Sequence, residues 1–195
     1  VKELTLTFYL PQFWSGALAL DGRVDFTPLK NHKPLELSSR QKSTWASARP
    51  ISSSDPFITI VNDQYPSLLA SVSLAPPVLF FRGRIELLKK TGVAIVGSRQ
   101  CSQRGATIAQ RLSYSLCEGG YCTISGLAYG IDEAAHRGNL AGSIGILPHG
   151  LSVPQTSRMQ RLCGDILNSG GLLLSPFHPA QRATRWGYLQ RNRII

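Results

Sequence analysis

The sequence predicts an α/β protein built on a parallel sheet that is covered by helices. Three observations predict this class. Short apolar runs of strand length alternate with longer segments whose apolar residues recur at helical spacing, the connections are short, and Gly119-Gly120 and Gly170-Gly171 end two of the helical segments. Regular alternation of this kind is typical of βαβ units.

The first elements of the pattern lie shortly after residue 54. We expect strands at Phe57–Ile60 and Val78–Phe81. Between them, the residues from Tyr65 to Val72 predict a helix, which Pro76-Pro77 stops.

The first fifty-four residues give no such pattern. Leu4–Leu10 has strand composition, but a polar stretch rich in Ser, Lys, Arg and Pro follows and is typical of a linker. We therefore expect an N-terminal segment and linker over residues 1–54 and a single domain over residues 55–195.

The clearest alternation begins at Gly92. Four strands are expected, at Val93–Val96, Thr123–Ser125, Ile144–Leu147 and Leu172–Leu174. Three helices are expected between them, at Arg104–Cys117, Ile131–Leu140 and Arg158–Leu167. Since Val93–Val96 is apolar throughout, we expect it to be buried on both faces. The apolar positions of the first helix that follow the helical period are Ile108, Ala109, Leu112 and Leu116.

The charge balance favours a polyanionic partner. The chain has 21 Lys and Arg against 11 Asp and Glu, a formal net charge of +10. Every basic residue after residue 90 is Arg, which contacts phosphate in bidentate geometry and stacks on bases. Nucleic acid is one explanation, and a solvated basic surface is the other.

The cysteines and the apolar runs indicate the compartment. Cys101, Cys117, Cys122 and Cys163 show no metal-binding spacing, so we expect free thiols and no metal site, with Cys117 and Cys122 packed in the core. The chain shows no secretory leader and no run long enough to span a bilayer. We therefore expect a cytoplasmic protein without membrane contact.

The loop after the predicted strand at Val93–Val96 is the best anion site, because open parallel sheets bind ligands beyond the carboxyl ends of their strands. Gly97 lets the backbone turn closely, Ser98 and Ser102 offer hydroxyl groups, and Arg99 adds charge. The next helix contributes free amides and the positive end of its dipole. We therefore predict that this loop binds phosphate.

The loop after the next strand differs in its charge. Gly126 and Gly130 permit close approach of the backbone, but Asp132 and Glu133 lie in the first turn of the following helix. These carboxylates would repel a phosphate at that helix end, and capping or dipole neutralisation explains them. We expect glycine backbone to wall the site here, with phosphate charge met by Arg99.

The last residues interleave cations and rings. Arg185, Trp186, Tyr188, Arg191 and Arg193 follow one another without a carboxylate, an arrangement suited to single strands. Two alternatives stay open. Both rings can pack into the core while the arginines are solvated, or the segment can fray.

Catalytic motifs are missing from the sequence. It has no G-x-G-x-x-G dinucleotide pattern, no Walker-type loop and no G-x-S-x-G elbow. His136 fits a helix-face residue, and His149 stands at a strand end without a partner. We therefore expect a protein that is not an enzyme and has no cofactor.

Several motifs together resemble the DNA-processing protein A (DprA/Smf) family over about residues 57–195. They are Asp63–Leu69, Pro76–Gly83, Val93–Arg99, Ser125–Asp132 with Ala135–Gly138, and Arg191–Ile195. The resemblance implies an extended Rossmann-like domain that binds single-stranded DNA in natural transformation and passes it to the RecA recombinase, without catalysis. It places Ser98 and Arg99 at the DNA backbone, with Arg191 and Arg193 bordering the same groove and Tyr188 as the preceding aromatic.

Departures from the family pattern temper this expectation. Pro148–Ser152 stands where the family usually has Gly-Thr-Gly-Leu-Asp. The family's sheet continues beyond Ile195, so we expect a domain truncated at its C-terminal end, and the missing parts resemble those that carry self-association and RecA contact. Two alternatives remain: a phosphoribohydrolase-like nucleotide-binding enzyme on the same fold, and a truncated remnant without function.

Overall fold

A computed structural model describes residues 55–60, 62–72 and 75–195, together with the backbone of four short strands within the first 52 residues. The chain divides into two compact units, residues 1–54 with 59–78 and residues 55–58 with 79–195. The domain boundary between residues 54 and 55 stays a prediction.

The four short strands pair as two antiparallel ribbons. β1 (Glu3–Leu4) pairs with β4 (Ile51–Ser52), and β2 (Leu18–Leu20) pairs with β3 (Arg23–Asp25). The strand predicted at Leu4–Leu10 coincides with β1 at Leu4, and the rest of that prediction lies outside the described residues.

The main sheet and its helices follow the predicted alternation. The strands are β5 (Phe57–Thr59), β6 (Val78–Gly83), β7 (Gly92–Ala94), β8 (Cys122–Ser125), β9 (Ser143–Ile146) and β10 (Leu172–Ser175). The described α-helices are α1 (Ser67–Ala70), α2 (Gln103–Glu118), α3 (Ile131–Gly138), α4 (Ser157–Asn168) and α5 (Arg185–Asn192), with a 3₁₀ helix at Ile85–Lys89.

These six strands form one sheet in the order β5-β6-β10-β9-β8-β7. β7, β8, β9 and β10 run parallel to one another, whereas β6 is antiparallel to β10. The predicted α/β class is confirmed, and the sheet is mixed because β6 enters it from the opposite direction. Whether a strand runs parallel or antiparallel depends on which strand it pairs with. The local residue pattern does not encode that pairing.

The two faces of the sheet are covered differently. On one face, the hydroxyl of Thr123 in β8 lies 2.7 Å from that of Ser113 in α2. The hydroxyl of Ser143 in β9 lies 3.0 Å from Nδ1 of His136 in α3. The other face is apolar and packs against Leu87 of the 3₁₀ helix and against Ile194 and Ile195. Its buried sheet residues are Cys122, Ile144, Ile146, Leu172 and Leu174. Helical segments therefore cover both faces, as predicted.

One burial prediction is wrong, and one helix is less buried than its apolar period suggests. β7 lies at one end of the strand order and Val96 is 58% exposed, so the strand predicted at Val93–Val96 is not buried on both faces. In α2, Ala109 is buried, but Ile108 and Leu112 are exposed. The Cα of Gly138 in α3 lies against the backbone of α2, so the helices pack along that side and leave the other to solvent.

The other predicted strands and helices of residues 55–195 differ from the observed ones by at most two residues at each end, and the largest difference is at α1. There Tyr65 is buried before the helix begins, and its hydroxyl donates to the carbonyl oxygen of Pro76 at 2.6 Å. None of the described helices is long and apolar enough to cross a membrane.

Candidate functional site

Three loops meet at the carboxyl edge of the parallel strands. They are residues 97–102 after β7, residues 126–130 after β8 and residues 147–156 after β9. The two loops predicted to form the site contact each other directly, because the backbone N–H of Ile131 donates to the carbonyl oxygen of Ser98 at 3.2 Å.

Asp132 joins the first two loops. Its carboxylate accepts from the backbone N–H of Gly97 (3.3 Å) and from that of Gly126 (3.2 Å), and the residue is buried. Carboxylates are favourable beside unpaired amides near a helix N-terminus. The sequence predicted capping or dipole neutralisation for this residue. In the structure its carboxylate accepts hydrogen bonds from the backbones of two loops and so holds them together. The amides of Gly97 and Gly126 therefore already have an acceptor.

Gly130 shapes the same junction. Its φ of +83° lies in the left-handed region, and a Cβ there would overlap the carbonyl oxygen of Ser98. A Cβ on Gly97 would likewise crowd the side chain of Ile131. Both glycines are thus required for the two loops to pack on each other.

The N-terminus of α2 is open and positive. The side chain of Ser102 caps it by accepting from the backbone N–H of Gly105 at 3.1 Å, and the first turn of this helix holds no acidic residue. The Ser98 hydroxyl lies within 3.1 Å of both the N–H and the carbonyl oxygen of Gln100. Ser98, Arg99 and Ser102 are exposed, so an anion has access to this helix end.

The side chain of Arg191 in α5 packs against the second loop, residues 126–130. Only 5% of the residue is exposed, and its guanidinium lies against the Cα of Gly126. Among the described residues, its Nε has no hydrogen-bond partner. Burial lowers the pKa of Arg191, the Asp132 carboxylate acts to raise it, and the positive charge of Arg99 acts to lower it. Arg99 and Arg191 therefore bring two positive charges to the same loops.

The rings of α5 lie at the surface. Trp186 is 41% exposed and Tyr188 is 39% exposed, and the guanidinium of Arg191 lies 5.9 Å from the centroid of the Tyr188 ring. The side chain of Thr184 caps this helix through the backbone N–H of Gly187 at 3.0 Å. The alternative of core-packed rings disagrees with the exposure of both rings. Arg193 is exposed.

A further aromatic–cation pair at this edge was not found by sequence reasoning. The guanidinium of Arg158 in α4 lies 5.0 Å from the centroid of the Tyr129 ring, and the Tyr129 hydroxyl lies 3.2 Å from that of Thr156. Tyr129 stands inside the second predicted loop, but its partners belong to a different element. Sequence spacing carries no signal for such a contact.

Two histidines, His136 and His149, are buried. His136 is fully buried, and burial lowers its pKa to about 4. His149 is also buried, with Nδ1 3.0 Å from the carbonyl oxygen of Gly150. Cys122 is buried as predicted, whereas Cys117 is exposed and that part of the prediction is wrong. Within the part of the chain that is described, no cluster of His, Cys, Asp and Glu is arranged to hold a metal ion.

Comparison with known proteins gives one consistent family. Residues 56–195 match the model of DNA recombination-mediator protein A. The chain is 37% identical over 143 residues to the DNA processing protein DprA of Streptococcus pneumoniae, covering 72% of this chain and 50% of that protein. It is 32% identical over 142 residues to the DNA processing protein DprA of Bacillus subtilis, covering 71% and 48%. The chain thus spans about half the length of these curated relatives.

Two solved structures share the fold. The X-ray structure of DNA processing protein A from Streptococcus pneumoniae superposes with a TM-score of 0.71 at 30% identity, covering 83% of this chain and 59% of that one. The Helicobacter pylori protein, whose structure is described for a unique single-stranded DNA binding mode, superposes with a TM-score of 0.66 at 25% identity. That match covers 74% of this chain and 66% of the other.

Proposed function

The chain belongs to the DNA recombination-mediator protein A family, and from this premise we propose that it binds single-stranded DNA across the loops that follow β7, β8 and β9. The observation that carries the proposal is the buried guanidinium of Arg191, held beside Gly126 with an unpartnered Nε and close to the charge of Arg99. A cation held beneath the loops adds positive potential at their surface, where it would favour a bound phosphate.

The proposed contacts divide by chemistry. Phosphates are met by Arg99 and by the Ser98 and Ser102 hydroxyls at the open N-terminus of α2, while Arg193 adds charge along α5. Bases stack on the exposed ring of Tyr188. Gly97, Gly126 and Gly130 act by letting the two loops and Arg191 approach closely.

A binding role is favoured over catalysis because the two carboxylates at the start of α3, Asp132 and Glu133, already have partners within the protein. Asp132 accepts from two backbone amides, and Glu133 is paired with Arg137 at 3.1 Å and with Arg158 at 2.7 Å. A phosphoribohydrolase-like enzyme would need a carboxylate free to act as base or nucleophile. Both of these are already engaged, so we propose a non-enzymatic role.

The biological setting is a further proposal. The relatives are named for DNA processing, and the family name describes a mediator of recombination, which supports RecA as a partner and natural transformation as the process. A homodimer is also proposed, supported by the edge strand β7, by the exposed Val96 that follows it, and by the exposed Ile108 and Leu112 of α2. A cytoplasmic location stays a prediction.

One titration tests the proposed function. A fluorescent oligothymidylate and a labelled mononucleotide are each titrated with the protein at several salt concentrations. With about four phosphates neutralised, log affinity for the oligonucleotide should fall against log salt with a slope of roughly −3. Tight binding of the mononucleotide would favour the enzyme alternative. A folded protein that binds neither ligand would favour the remnant without function.

A further inference from the structure

Tyr129 is an exposed ring that is held in place from two sides. The residue is 43% exposed, Arg158 lies over its ring with Cζ 5.0 Å from the centroid, and its hydroxyl lies 3.2 Å from that of Thr156. Solvent-exposed tyrosines usually keep their rotational freedom, because ordering a side chain costs entropy. Two contacts from α4 and its cap therefore restrict a ring that remains open to solvent.

Arg158 is itself fixed by a buried carboxylate. Its Nε donates to Oε2 of Glu133 at 2.8 Å and its Nη2 lies 2.7 Å from the same oxygen, while Arg137 holds the other oxygen of Glu133. The Glu133 side chain is 9% exposed, so the carboxylate serves as a rigid anchor. The chain of contacts thus runs from a buried acid to a surface cation and then to a surface ring.

The ring also lies beside the proposed phosphate site. Tyr129 directly precedes Gly130, whose Cα is packed against the carbonyl groups of Ser98 and Arg99. A strand of DNA whose backbone contacts Arg99 therefore passes close to Tyr129. Aromatic rings at such positions stack on bases without reading their identity, and a guanidinium on the ring adds to the stack.

From these observations we propose that Tyr129, positioned by Arg158 and Glu133, is a second base-stacking platform for single-stranded DNA, in addition to Tyr188 of α5. The inference rests on the proposed function. It gives a role in DNA binding to Tyr129, to which the sequence motifs assigned none. Tyr129 would contact the base, whereas Arg158 and Glu133 act as positioning residues.

Tyr121 provides a matched control. It is also 43% exposed, but it precedes β8 where Tyr129 follows it, so the two rings lie at opposite ends of the same strand. Tyr129→Ala should weaken binding of oligothymidylate by about 5- to 150-fold, the range for loss of one stacked base. Tyr121→Ala should change binding less than twofold. Because stacking releases no counterions, Tyr129→Ala should leave the salt slope unchanged, whereas Arg99→Ala should make it shallower by about 0.7.

Photocrosslinking separates this inference from the proposed function. An oligonucleotide containing 5-iododeoxyuridine is irradiated with the full chain, and the modified residue is located by mass spectrometry. A crosslink at Tyr129 that is retained in Tyr129→Phe, which loses only the contact with Thr156, supports the platform. If DNA binds with the expected salt slope but Tyr129→Ala is unchanged in affinity and no crosslink maps there, the platform is overturned and the proposed function stands. If the wild-type protein does not bind DNA, both are overturned.

Discussion

The guanidinium of Arg191 occupies the space that a side chain on Gly126 would fill. The two residues belong to different elements, the loop after β8 and helix α5, and each explains the other: glycine is required because the arginine is there. Asp132 lies at the same contact and acts attractively on the guanidinium. This packing holds a positive charge beneath the loops that we propose as the DNA site.

Gly126→Ala should expel that guanidinium. We expect it to weaken single-stranded DNA binding by about as much as Arg191→Ala, roughly 1.5–3 kcal/mol for a charged hydrogen bond. The double variant should be no weaker than either single one, because both changes remove the same interaction. Fluorescence anisotropy gives the three affinities, and thermal unfolding controls for the fold. Additive losses would show that the two residues act independently.

Arg99→Ala should weaken DNA binding without affecting stability. The side chain is exposed after an edge strand, so its loss removes a phosphate contact worth about 1.5–3 kcal/mol and little packing. Arg111→Ala is the matched control, since Arg111 is exposed in the middle of α2. Equal effects of the two variants in anisotropy titrations would mean that net charge, and not the loop, determines binding.

Stability should fall in mild acid because of His136. Burial lowers its pKa from 6.5 to about 4, so the unfolded chain takes up a proton there before the folded chain does. The free energy of unfolding should therefore drop by roughly 3 kcal/mol as the pH falls from about 6.5 to 4. Above about pH 6.5 the stabilisation that comes from burying the neutral imidazole should be fully present. Urea unfolding of wild type and His136→Asn at a series of pH values from 7.5 to 4 measures this drop. An equally steep pH dependence in the variant would assign the effect to other groups.

Trp186 should report DNA binding by its emission. The ring is exposed on α5, and a base stacked on it or beside it would quench its fluorescence. Trp14 and Trp45 are replaced by Phe so that Trp186 gives the only tryptophan signal. In that background, Tyr188→Ala should weaken binding by about 1–3 kcal/mol. Emission that is unaffected by saturating DNA would place the groove elsewhere. Deleting residues 185–195 is a poorer test, because Ile194 and Ile195 pack against the core.

Much of the architecture followed from the sequence alone. Strand and helix alternation and the glycines of the first two loops are local features, since side-chain period and backbone freedom are properties of neighbouring residues. The family motifs lie in these same loops. The sequence therefore determined the α/β class, and it indicated the edge of the sheet at which we propose the site.

Tertiary structure decided where each of these residues lies and what it contacts. Which strand lies at an edge depends on strand order, so the apolar run at Val93–Val96 became an exposed edge. Whether an arginine faces solvent or a glycine depends on where its helix docks, so Arg191 became a buried cation while Arg193 stayed at the surface. Pairing of Tyr129 with Arg158 joins elements that are far apart in the chain. These are long-range contacts, and their free energy is realised only when the whole core packs, which no local pattern encodes.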